Sequence, residues 1–247
     1  AKIAKAEGVE RFIYASSQSM YGISNTNNEL DEYDSEKKPV TAYAEAKWLA
    51  EQELNKLCDE KFTVVSFRPS TVFGASPRLR TDIVFNNLVA CAYTTGNIEI
   101  KSDGSPWRPI IHIKDVCKAF ISGLEAPTRL INGKSFNVGI KNGNYTVKEI
   151  AEAASNALKG SKLTFTGEHS DPRSYKVSFE RIHNELADFF KPEWNLSKGG
   201  EELVEFFKKV TFTENDFRGT KTVRLNQIKK LIENKVIDTN LKFLKKS

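Results

Sequence analysis

The chain has 247 residues, of which 39% are hydrophobic and 28% are charged, and its mean hydropathy is −0.45. No apolar run approaches the roughly 20 residues of a membrane-spanning helix, and the net charge of +5 is spread along the chain without a nucleic-acid-binding motif. We therefore expect a globular protein that acts neither in a membrane nor on nucleic acid. Its three cysteines have no metal-binding spacing, which favours reduced thiols in the cytoplasm.

The first predicted elements are the end of a helix and a buried strand. Residues 1–7, AKIAKAE, have a helix-forming composition and precede Gly8, a residue that tolerates the left-handed backbone of a helix C terminus. Residues 9–15 are mostly apolar and β-favouring, which predicts a strand that runs directly into Ser16 and Ser17. Because the chain starts within this helical pattern, we expect it to be the C-terminal part of a longer protein.

The next predicted helix carries a tyrosine and a lysine four positions apart. Thr41 is a suitable N-cap, and the Ala-, Glu-, Leu- and Lys-rich segment after it places Tyr43 and Lys47 on one helix face. An ammonium beside a phenol favours the tyrosinate, which lowers the tyrosine pKa from about 10 toward working pH and makes it a usable general acid/base. Since this spacing often arises by chance, an ordinary half-exposed helix face is the alternative.

Ser17 at a strand end, followed by Tyr43-x-x-x-Lys47 on a helix, resembles the Ser-Tyr-Lys triad of the extended short-chain dehydrogenases/reductases, in particular the nucleotide-sugar epimerases and dehydratases. The resemblance implies that Tyr43 is the acid/base and that Ser17 hydrogen-bonds the reacting sugar oxygen. It implies that Lys47 holds the ribose of an NAD or NADP cofactor, with Ser16 also beside the cofactor. It also implies a homodimer through the Tyr43/Lys47 helix, for which simple burial of that helix is the alternative.

A second strand extends the resemblance. Residues 62–67, FTVVSF, show no polar alternation, which predicts a parallel strand covered on both faces. Arg68 and Pro69 then open RPSTVFG, which resembles the family segment Arg-Pro-x-x-Val-Tyr-Gly and implies contact with the nicotinamide and the substrate. By itself, Pro69 predicts only that strand pairing ends there. Strand, helix and strand in this order predict a βαβ crossover and hence a parallel sheet.

Three later positions resemble the family's substrate contacts. Asn87 lies in an Asn-Asn-Leu that matches the diphosphate-binding segment of the UDP-galactose 4-epimerases, although a surface asparagine pair in a helix that opens at Asp82 is the alternative. Arg108 opens RPIIHIKD, similar to the family's Arg-x-x-(apolar)-His-x-x-Asp, in which a guanidinium can clamp a phosphate. Arg173 corresponds to a second diphosphate-binding arginine or to a surface loop arginine.

Two polar residues near these motifs are predicted to have structural roles. Asp115 is placed to N-cap a helix over residues 116–125, and His112 is expected to be a hydrogen-bonded structural imidazole. Ser197 is predicted to cap an amphipathic helix that ends near Lys209. These patterns indicate helix starts and do not by themselves indicate chemistry.

The elements together predict an α/β fold: the C-terminal part of a Rossmann-type parallel sheet with a smaller α+β substrate-binding domain. We expect residues 1–74 to form the C-terminal half of the dinucleotide-binding domain and residues 75–247 to form a substrate-binding region partly interleaved with it. The Gly-rich phosphate loop and the acidic ribose ligand of such domains are not among the 247 residues. We therefore expect these parts of the cofactor site to lie outside this chain.

The two residues after Ser17 reduce the number of reactions that the resemblance allows. In the 4,6-dehydratases an Asp-Glu pair follows the triad hydroxyl, whereas Gln18 and Ser19 stand here, so no carboxylate is placed to eliminate water. UDP-glucuronate decarboxylases keep a Glu at the second place and are disfavoured for the same reason. The resemblance favours an NAD-dependent nucleotide-sugar epimerase. The alternatives are a 4-keto-sugar reductase or dehydratase, a non-catalytic binding member and an inactive fragment.

Overall fold

The computed structural model describes residues 1–23, 28–167 and 174–244 as alternating helices and strands. The helices are α1 (Lys2–Ala6), α2 (Ala42–Asn55), α3 (Val84–Thr95), α4 (Ile113–Glu125), α5 (Thr128–Ile131), α6 (Val147–Ala157), α7 (Glu180–Glu185), α8 (Leu196–Lys209), α9 (Glu214–Arg218) and α10 (Arg224–Glu233), with a 3-10 helix at Gln18–Tyr21. The strands are β1 (Arg11–Ala15), β2 (Thr63–Pro69), β3 (Thr71–Phe73), β4 (Asn97–Ile100), β5 (Trp107–His112), β6 (Lys134–Val138), β7 (Asn144–Thr146) and β8 (Lys162–Phe165). The predicted α/β class is confirmed.

The chain divides into two compact units, each built from separate segments. The first unit consists of Ala1–Phe73, Lys101–Glu149 and Gly167–Asn195, and the second of Gly74–Ile100, Ile150–Thr166 and Leu196–Ser247. The first change of unit therefore falls next to the boundary predicted at residue 74. The assignment of the units to cofactor and to substrate stays a prediction.

A parallel sheet in the order β1-β2-β6 organises the first unit. β1 and β2 pair in parallel up to Ala15 and Phe67, and β2 and β6 pair in parallel up to Pro69 and Val138. The pairing of β2 ends at Pro69, as predicted, with Pro69 opposite Val138 as the last pair. Because the carboxyl ends of parallel strands meet at one edge, Ser17, which follows β1, lies at the edge where open α/β sheets bind ligands.

β2 is covered on both faces, as its unbroken apolar sequence predicts. Phe67 packs with Phe136 of β6 on the face covered by α4, and their ring centroids are 5.9 Å apart. Val64 packs with Phe62 and with Leu54 of α2 on the opposite face. The strand is buried on both sides because a βαβ connection places helices over both faces of a parallel sheet.

Helix α4 lies directly on the sheet because a glycine allows a close approach. A Cβ atom at Gly123 would lie 2.6 Å from the ring of Phe67 and 3.2 Å from Cδ1 of Ile13. The end of the helix is also tied to β1, since Nη1 of Arg11 donates hydrogen bonds of 3.0 Å to the carbonyls of Gly123 and Ala126. These contacts fix α4 against one face of β1 and β2.

The start of α4 corrects the predicted capping. The helix begins before residue 116, and its N-cap is His112, whose Nδ1 accepts a hydrogen bond of 3.2 Å from the backbone N–H of Lys114. Asp115 is fully buried within the first turn and accepts hydrogen bonds of 2.9 Å from the backbone amides of residues 193–194. The carboxylate thus satisfies amides of a distant segment, a partner that local sequence does not reveal.

The second unit is built around α3, which packs against α8, α9 and β4, while β4 pairs with β8 in parallel. Helix α8 begins at Leu196, so Ser197 lies in the first turn and is not the N-cap that was predicted. Its hydroxyl instead donates a hydrogen bond of 3.4 Å to Oε1 of Glu201, one turn along the helix.

Candidate active site

Ser17 lies directly beyond β1 and acts as the N-cap of the 3-10 helix. Its backbone is extended, with φ −161° and ψ 144°, and its Oγ accepts a hydrogen bond of 3.1 Å from the backbone N–H of Ser19. Accepting that bond uses an oxygen lone pair and not the hydroxyl proton. The Ser17 hydroxyl can therefore still donate a hydrogen bond to an oxygen of a bound molecule.

Tyr43 and Lys47 extend from one face of α2 toward the end of β1. The Nζ of Lys47 donates a hydrogen bond of 2.6 Å to the carbonyl of Ala15, two residues before Ser17, and lies 5.8 Å from the ring centroid of Tyr43. Tyr43 is 59% exposed, so solvent reaches its ring. An ammonium has three donors, and one of them is used here. The structure thus places Tyr43, Lys47 and the start of the Ser17 segment in one neighbourhood.

The side chains of Ser16 and Arg68 turn away from solvent toward a carboxylate in α2. Ser16 donates a hydrogen bond of 2.5 Å to Oε2 of Glu51, and Nε of Arg68 donates to both carboxylate oxygens at 3.1 and 3.2 Å. All three residues are at most 4% exposed. Burial alone would lower the pKa of Arg68, but its hydrogen bond to Glu51 raises it. Any contact of Ser16 or Arg68 with a cofactor stays a prediction and would use their backbone.

A line of buried hydrogen bonds continues from Arg68 across the sheet. Nη1 of Arg68 donates to the hydroxyl of Tyr21 at 3.0 Å, that hydroxyl donates to Oδ1 of Asn137 at 2.9 Å, and the Asn137 backbone N–H donates to Glu32 at 2.6 Å. Burial raises the pKa of Tyr21 to about 12 and also raises the pKa of Glu32. Sequence analysis missed this network, since its members come from four separate segments.

The position of Glu51 in the sequence already indicates that its side chain lies near those of Tyr43 and Lys47. It stands four positions after Lys47 and eight after Tyr43, so all three side chains leave α2 on similar faces. A carboxylate on the inward side of a predicted helix needs a buried cation or several donors as partners. That requirement, applied to residues 41–55, would have indicated a buried partner for Glu51 without identifying Arg68.

Of the three predicted diphosphate contacts, two lie in the described residues. Arg108 is in β5 of the first unit, half-buried, and its Nη1 donates a hydrogen bond of 2.8 Å to the carbonyl of Trp107. Asn87 is in α3 of the second unit, and its Nδ2 donates a hydrogen bond of 2.8 Å to the carbonyl of Thr81. Arg173 lies outside the residues that the structure describes. All three roles stay predictions.

Residues 1–23, 28–167 and 174–244, the part of the chain that the structure describes, also bear on other kinds of site. Within those ranges, no cluster of three or more His, Cys, Asp or Glu side chains could hold a metal ion. In the same ranges, no helix combines the length and the apolar character needed to cross a bilayer. The cysteines, Cys58, Cys91 and Cys117, are all free thiols.

Residues 1–139 match the model of the NAD dependent epimerase/dehydratase family. The chain belongs to this family. The match covers more than half of the chain and includes the strand, Ser17, the Tyr43/Lys47 helix and the Arg68–Pro69 segment. Membership confirms the resemblance drawn from the sequence. It does not separate an epimerase from a dehydratase, since the family includes both.

Of two curated relatives, one is named as a dehydratase and the other as an epimerase. The chain is 28% identical over 212 residues to a mouse dTDP-D-glucose 4,6-dehydratase, covering 82% of the chain and 57% of that protein. It is 27% identical over 219 residues to a UDP-glucose 4-epimerase of Bacillus subtilis strain 168, covering 79% of the chain and 61% of that protein. The chain therefore spans less than two thirds of the length of either relative.

Two solved structures share the fold of this chain. A UDP-glucose 4-epimerase of Thermotoga maritima, solved with UDP-glucose, matches with a TM-score of 0.72 at 21% identity, covering 85% of this chain and 67% of that one. MoeE5, solved with UDP-glucose and NAD, matches with a TM-score of 0.67 at 22% identity, covering 85% and 69%. These similarities confirm the Rossmann-type fold.

Proposed function

We propose that the chain is the catalytic part of an NAD-dependent nucleotide-sugar epimerase, which transfers a hydride reversibly at a sugar carbon. One observation carries the proposal: the ammonium of Lys47 is hydrogen-bonded to the carbonyl of Ala15, two residues before Ser17, and lies 5.8 Å from the ring centroid of the exposed Tyr43. An acid/base, a cation and a hydroxyl donor on one surface are the groups that this reaction requires. Family membership supports the same chemistry.

Each residue has a proposed task. Tyr43, as tyrosinate, takes the proton of the sugar hydroxyl, and Coulomb attraction from Lys47 stabilises the anion. Ser17 donates a hydrogen bond to the same oxygen as it becomes a carbonyl. When bound, NAD accepts the hydride from the sugar carbon and returns it. Return to the opposite face of the sugar gives the epimer.

The residues at this edge of the sheet fit the nicotinamide end of a dinucleotide. Lys47 uses one of its three N–H donors on Ala15, so two remain for ribose hydroxyls. Pro69 ends β2 at the same edge and is half-buried, so the backbone there can lie against a flat ring. Ser16 and Arg68 would contribute through their backbone, because Glu51 engages both side chains.

Binding of the substrate diphosphate is assigned to Arg108, Arg173 and Asn87. The guanidinium of Arg108 has five N–H donors and can meet a phosphate with two parallel hydrogen bonds. Asn87 engages its Nδ2 with Thr81, so its amide oxygen and backbone are fixed in place. Single replacement of Arg108 by Lys should raise KM for the nucleotide sugar more than it lowers kcat, since a point charge replaces a bidentate contact.

The epimerase reaction is preferred because of Gln18 and Ser19. Neither is a carboxylate, and the Nε2 of Gln18 is already committed to the carbonyl of Arg68 at 3.0 Å. Elimination of water requires a base that removes a carbon-bound proton next to the keto group. These two side chains cannot serve as that base, which disfavours the dehydratase alternative. A 4-keto-sugar reductase stays the second candidate.

The test is incubation of the full chain with NAD and UDP-glucose in deuterated water, followed by NMR of the sugar. An epimerase yields UDP-galactose without deuterium at carbon, because the hydride returns from the cofactor. A 4-keto-6-deoxy sugar with deuterium at C5 would overturn the epimerase proposal in favour of a dehydratase. UDP-glucose that binds but is never converted, even with NAD bound, would instead indicate a non-catalytic binding member. Tyr43→Phe is the inactive control.

We also propose that α2 is the contact of a homodimer. In addition to Tyr43, which is 59% exposed, this helix exposes Leu49, which is 53% exposed, and a partner subunit packed on α2 would cover apolar surface. Leu49→Glu should convert a dimer to a monomer, as measured by analytical ultracentrifugation. A Glu53→Gln variant, altered on an exposed polar position of the same helix, should leave the dimer intact. A monomeric starting protein would contradict this proposal.

A further inference from the structure

We infer that Glu51 is a positioning residue, which holds the helix with Tyr43 and Lys47 in register with the strand ends through Arg68. The inference rests on the proposed function, because it states how that site keeps its geometry. It gives the Arg68 side chain a different task from cofactor contact. The guanidinium acts on the reaction through Glu51 and α2.

The carboxylate of Glu51 accepts hydrogen bonds from side chains that lie in, or directly after, three strands. Ser16, just after β1, donates at 2.5 Å, Nε of Arg68 in β2 donates at 3.1 Å to Oε1, and Ser135 in β6 donates at 2.6 Å. Nη2 of Arg68 also donates to Oε1. A carboxylate has about four acceptor positions. With the second contact of Arg68 Nε, 3.2 Å from Oε2, five contacts fill these positions and tie α2 to all three strands.

Because the Glu51–Arg68 pair is buried, the loss of one of its hydrogen bonds is costly in free energy. Glu51 is 0% and Arg68 is 2% exposed, so water cannot take the place of a broken contact. Buried ion pairs contribute little net stability compared with apolar side chains of similar size, and their loss leaves an uncompensated charge. An apolar joint would allow α2 to slide or rotate slightly along the sheet. The ion pair, by contrast, defines one position.

The Glu51–Arg68 ion pair lies close in sequence to the proposed reacting groups, both on α2 and on the strand side. On α2, Glu51 follows Lys47 by one turn and Tyr43 by two turns, about 12 Å along the axis at 1.5 Å per residue. On the strand side, Ser16 directly precedes Ser17, so the bond from Ser16 to Glu51 anchors the backbone next to the Ser17 hydroxyl.

The experiment compares Glu51→Gln with Glu53→Gln in the full chain. Glu51→Gln keeps the shape and removes the charge, and we expect kcat to fall about 10- to 100-fold with KM changed less than about threefold, as for a misplaced catalytic group. Glu53 forms an exposed ion pair with Lys56 on the same helix, so Glu53→Gln should retain kcat. An unchanged kcat in Glu51→Gln with lowered thermal stability would overturn the inference in favour of a purely structural role.

A second readout does not depend on turnover. Tyrosines labelled with ¹³C at Cζ report their surroundings by NMR, and Tyr43→Phe assigns the Tyr43 signal. We expect Glu51→Gln to broaden or split this signal, while the signal of the exposed Tyr33 stays unchanged as an internal control. A single unshifted Tyr43 signal in the variant would contradict positioning. The result is informative even if the parent chain turns over no sugar, which separates this inference from the proposed function.

A milder variant covers the case in which Glu51→Gln does not fold. Ser135→Ala removes one donor to the carboxylate and leaves the charge pair intact, so a smaller change of the Tyr43 signal and of kcat is expected. Ser66→Ala is its matched control, because it removes a buried hydroxyl from the middle of β2 that has no hydrogen-bond partner among the described residues. Equal effects of the two serine variants would overturn the inference.

Discussion

Two tyrosines, Tyr14 and Tyr43, lie beside Lys47. They differ in burial, and therefore in the roles that they can have. The ammonium lies 5.1 Å from the ring centroid of Tyr14 and 5.8 Å from that of Tyr43. Burial, followed by the charges of Glu51 and Tyr43, raises the pKa of Tyr14, so this phenol stays neutral at working pH. Tyr43 is exposed and has access to a bound sugar. The same cation therefore contacts one structural ring and one candidate acid/base.

Replacement of Tyr43 tests this difference directly. Tyr43→Phe should lower kcat about 10²- to 10⁴-fold, the range for loss of a general acid/base, with little change in the unfolding midpoint because the hydroxyl is exposed. Steady-state kinetics with a nucleotide sugar and thermal unfolding provide the two measurements. Tyr33→Phe, at another exposed tyrosine, should leave both unchanged. Retention of full turnover by Tyr43→Phe would refute the acid/base role.

The buried phenol of Tyr21 predicts a pH dependence of stability. Its folded-state pKa of about 12 lies above the ordinary value of 10.0 because of burial, so the folded chain binds a proton that the unfolded chain has released. The free energy of unfolding should then fall between pH 10 and 12 by up to about 1.4 kcal/mol per pH unit from this group. Below pH 10 the group contributes no slope.

Denaturant unfolding at several pH values provides the measurement for Tyr21. Because lysines also titrate in this range, the relevant quantity is the difference between the parent chain and Tyr21→Phe. The variant loses the acceptor of Arg68 and should be less stable at pH 8, but its stability should decline less steeply above pH 10. Parallel curves for the two proteins would show that Tyr21 does not titrate as expected.

At the level of secondary-structure elements, the candidate active site depends on two helices that pack on opposite faces of β2. Helix α2 covers one face and carries Tyr43, Lys47 and Glu51, while α4 covers the other face through Gly123. The α2 start follows local rules, since Thr41 Oγ1 accepts a hydrogen bond of 3.2 Å from the backbone N–H of residue 44, as predicted. The closeness of α4 depends instead on a residue that local rules disfavour in a helix.

Gly123→Ala sets these two effects against each other. Helix propensity alone favours Ala over Gly by about 1 kcal/mol. The added Cβ would lie 2.6 Å from the Phe67 ring, however, and overpacking of a core typically costs about 1–3 kcal/mol. We expect the clash to prevail and the free energy of unfolding to fall. Leu124→Ala, at a neighbouring exposed position, is the control and should change stability by less than about 0.5 kcal/mol.

For the whole molecule, the two units alternate along the chain, and the proposed cofactor groups lie in the first one. Ser17, Tyr43, Lys47 and Pro69 all belong to Ala1–Phe73. The chain spans 57% and 61% of its curated relatives, so the activity of the whole protein is a proposal. Cofactor binding can nevertheless be measured on this chain without any turnover.

NAD should stabilise the folded chain by mass action. At a free concentration of 100 times Kd, a ligand that binds only the folded state adds about 2.7 kcal/mol to the free energy of unfolding. Differential scanning fluorimetry over a range of NAD concentrations measures the effect. Lys47→Met should reduce the shift at a fixed concentration, whereas Lys56→Met, at an exposed lysine of the surface ion pair with Glu53, should not. Equal shifts in both variants would exclude Lys47 as a cofactor ligand.

The sequence alone determined the features that depend on short-range pattern. The apolar run at residues 62–67, the Thr41 cap and the shared helix face of Tyr43 and Lys47 are all local, and the structure confirms each as an element. Family membership followed from the same motifs. Placement of the strand ends at one edge could be predicted because parallel βαβ units allow few topologies.

The tertiary structure decided which distant groups became partners. Glu51 pairs with Arg68, and Asp115 accepts hydrogen bonds from the amides of residues 193–194. These partners are too far apart in sequence for a local pattern to predict them. The interleaving of the two units was also decided there. The physical reason is that a buried charge must find donors from whichever segments the packed core brings beside it, and core packing is a property of the whole chain.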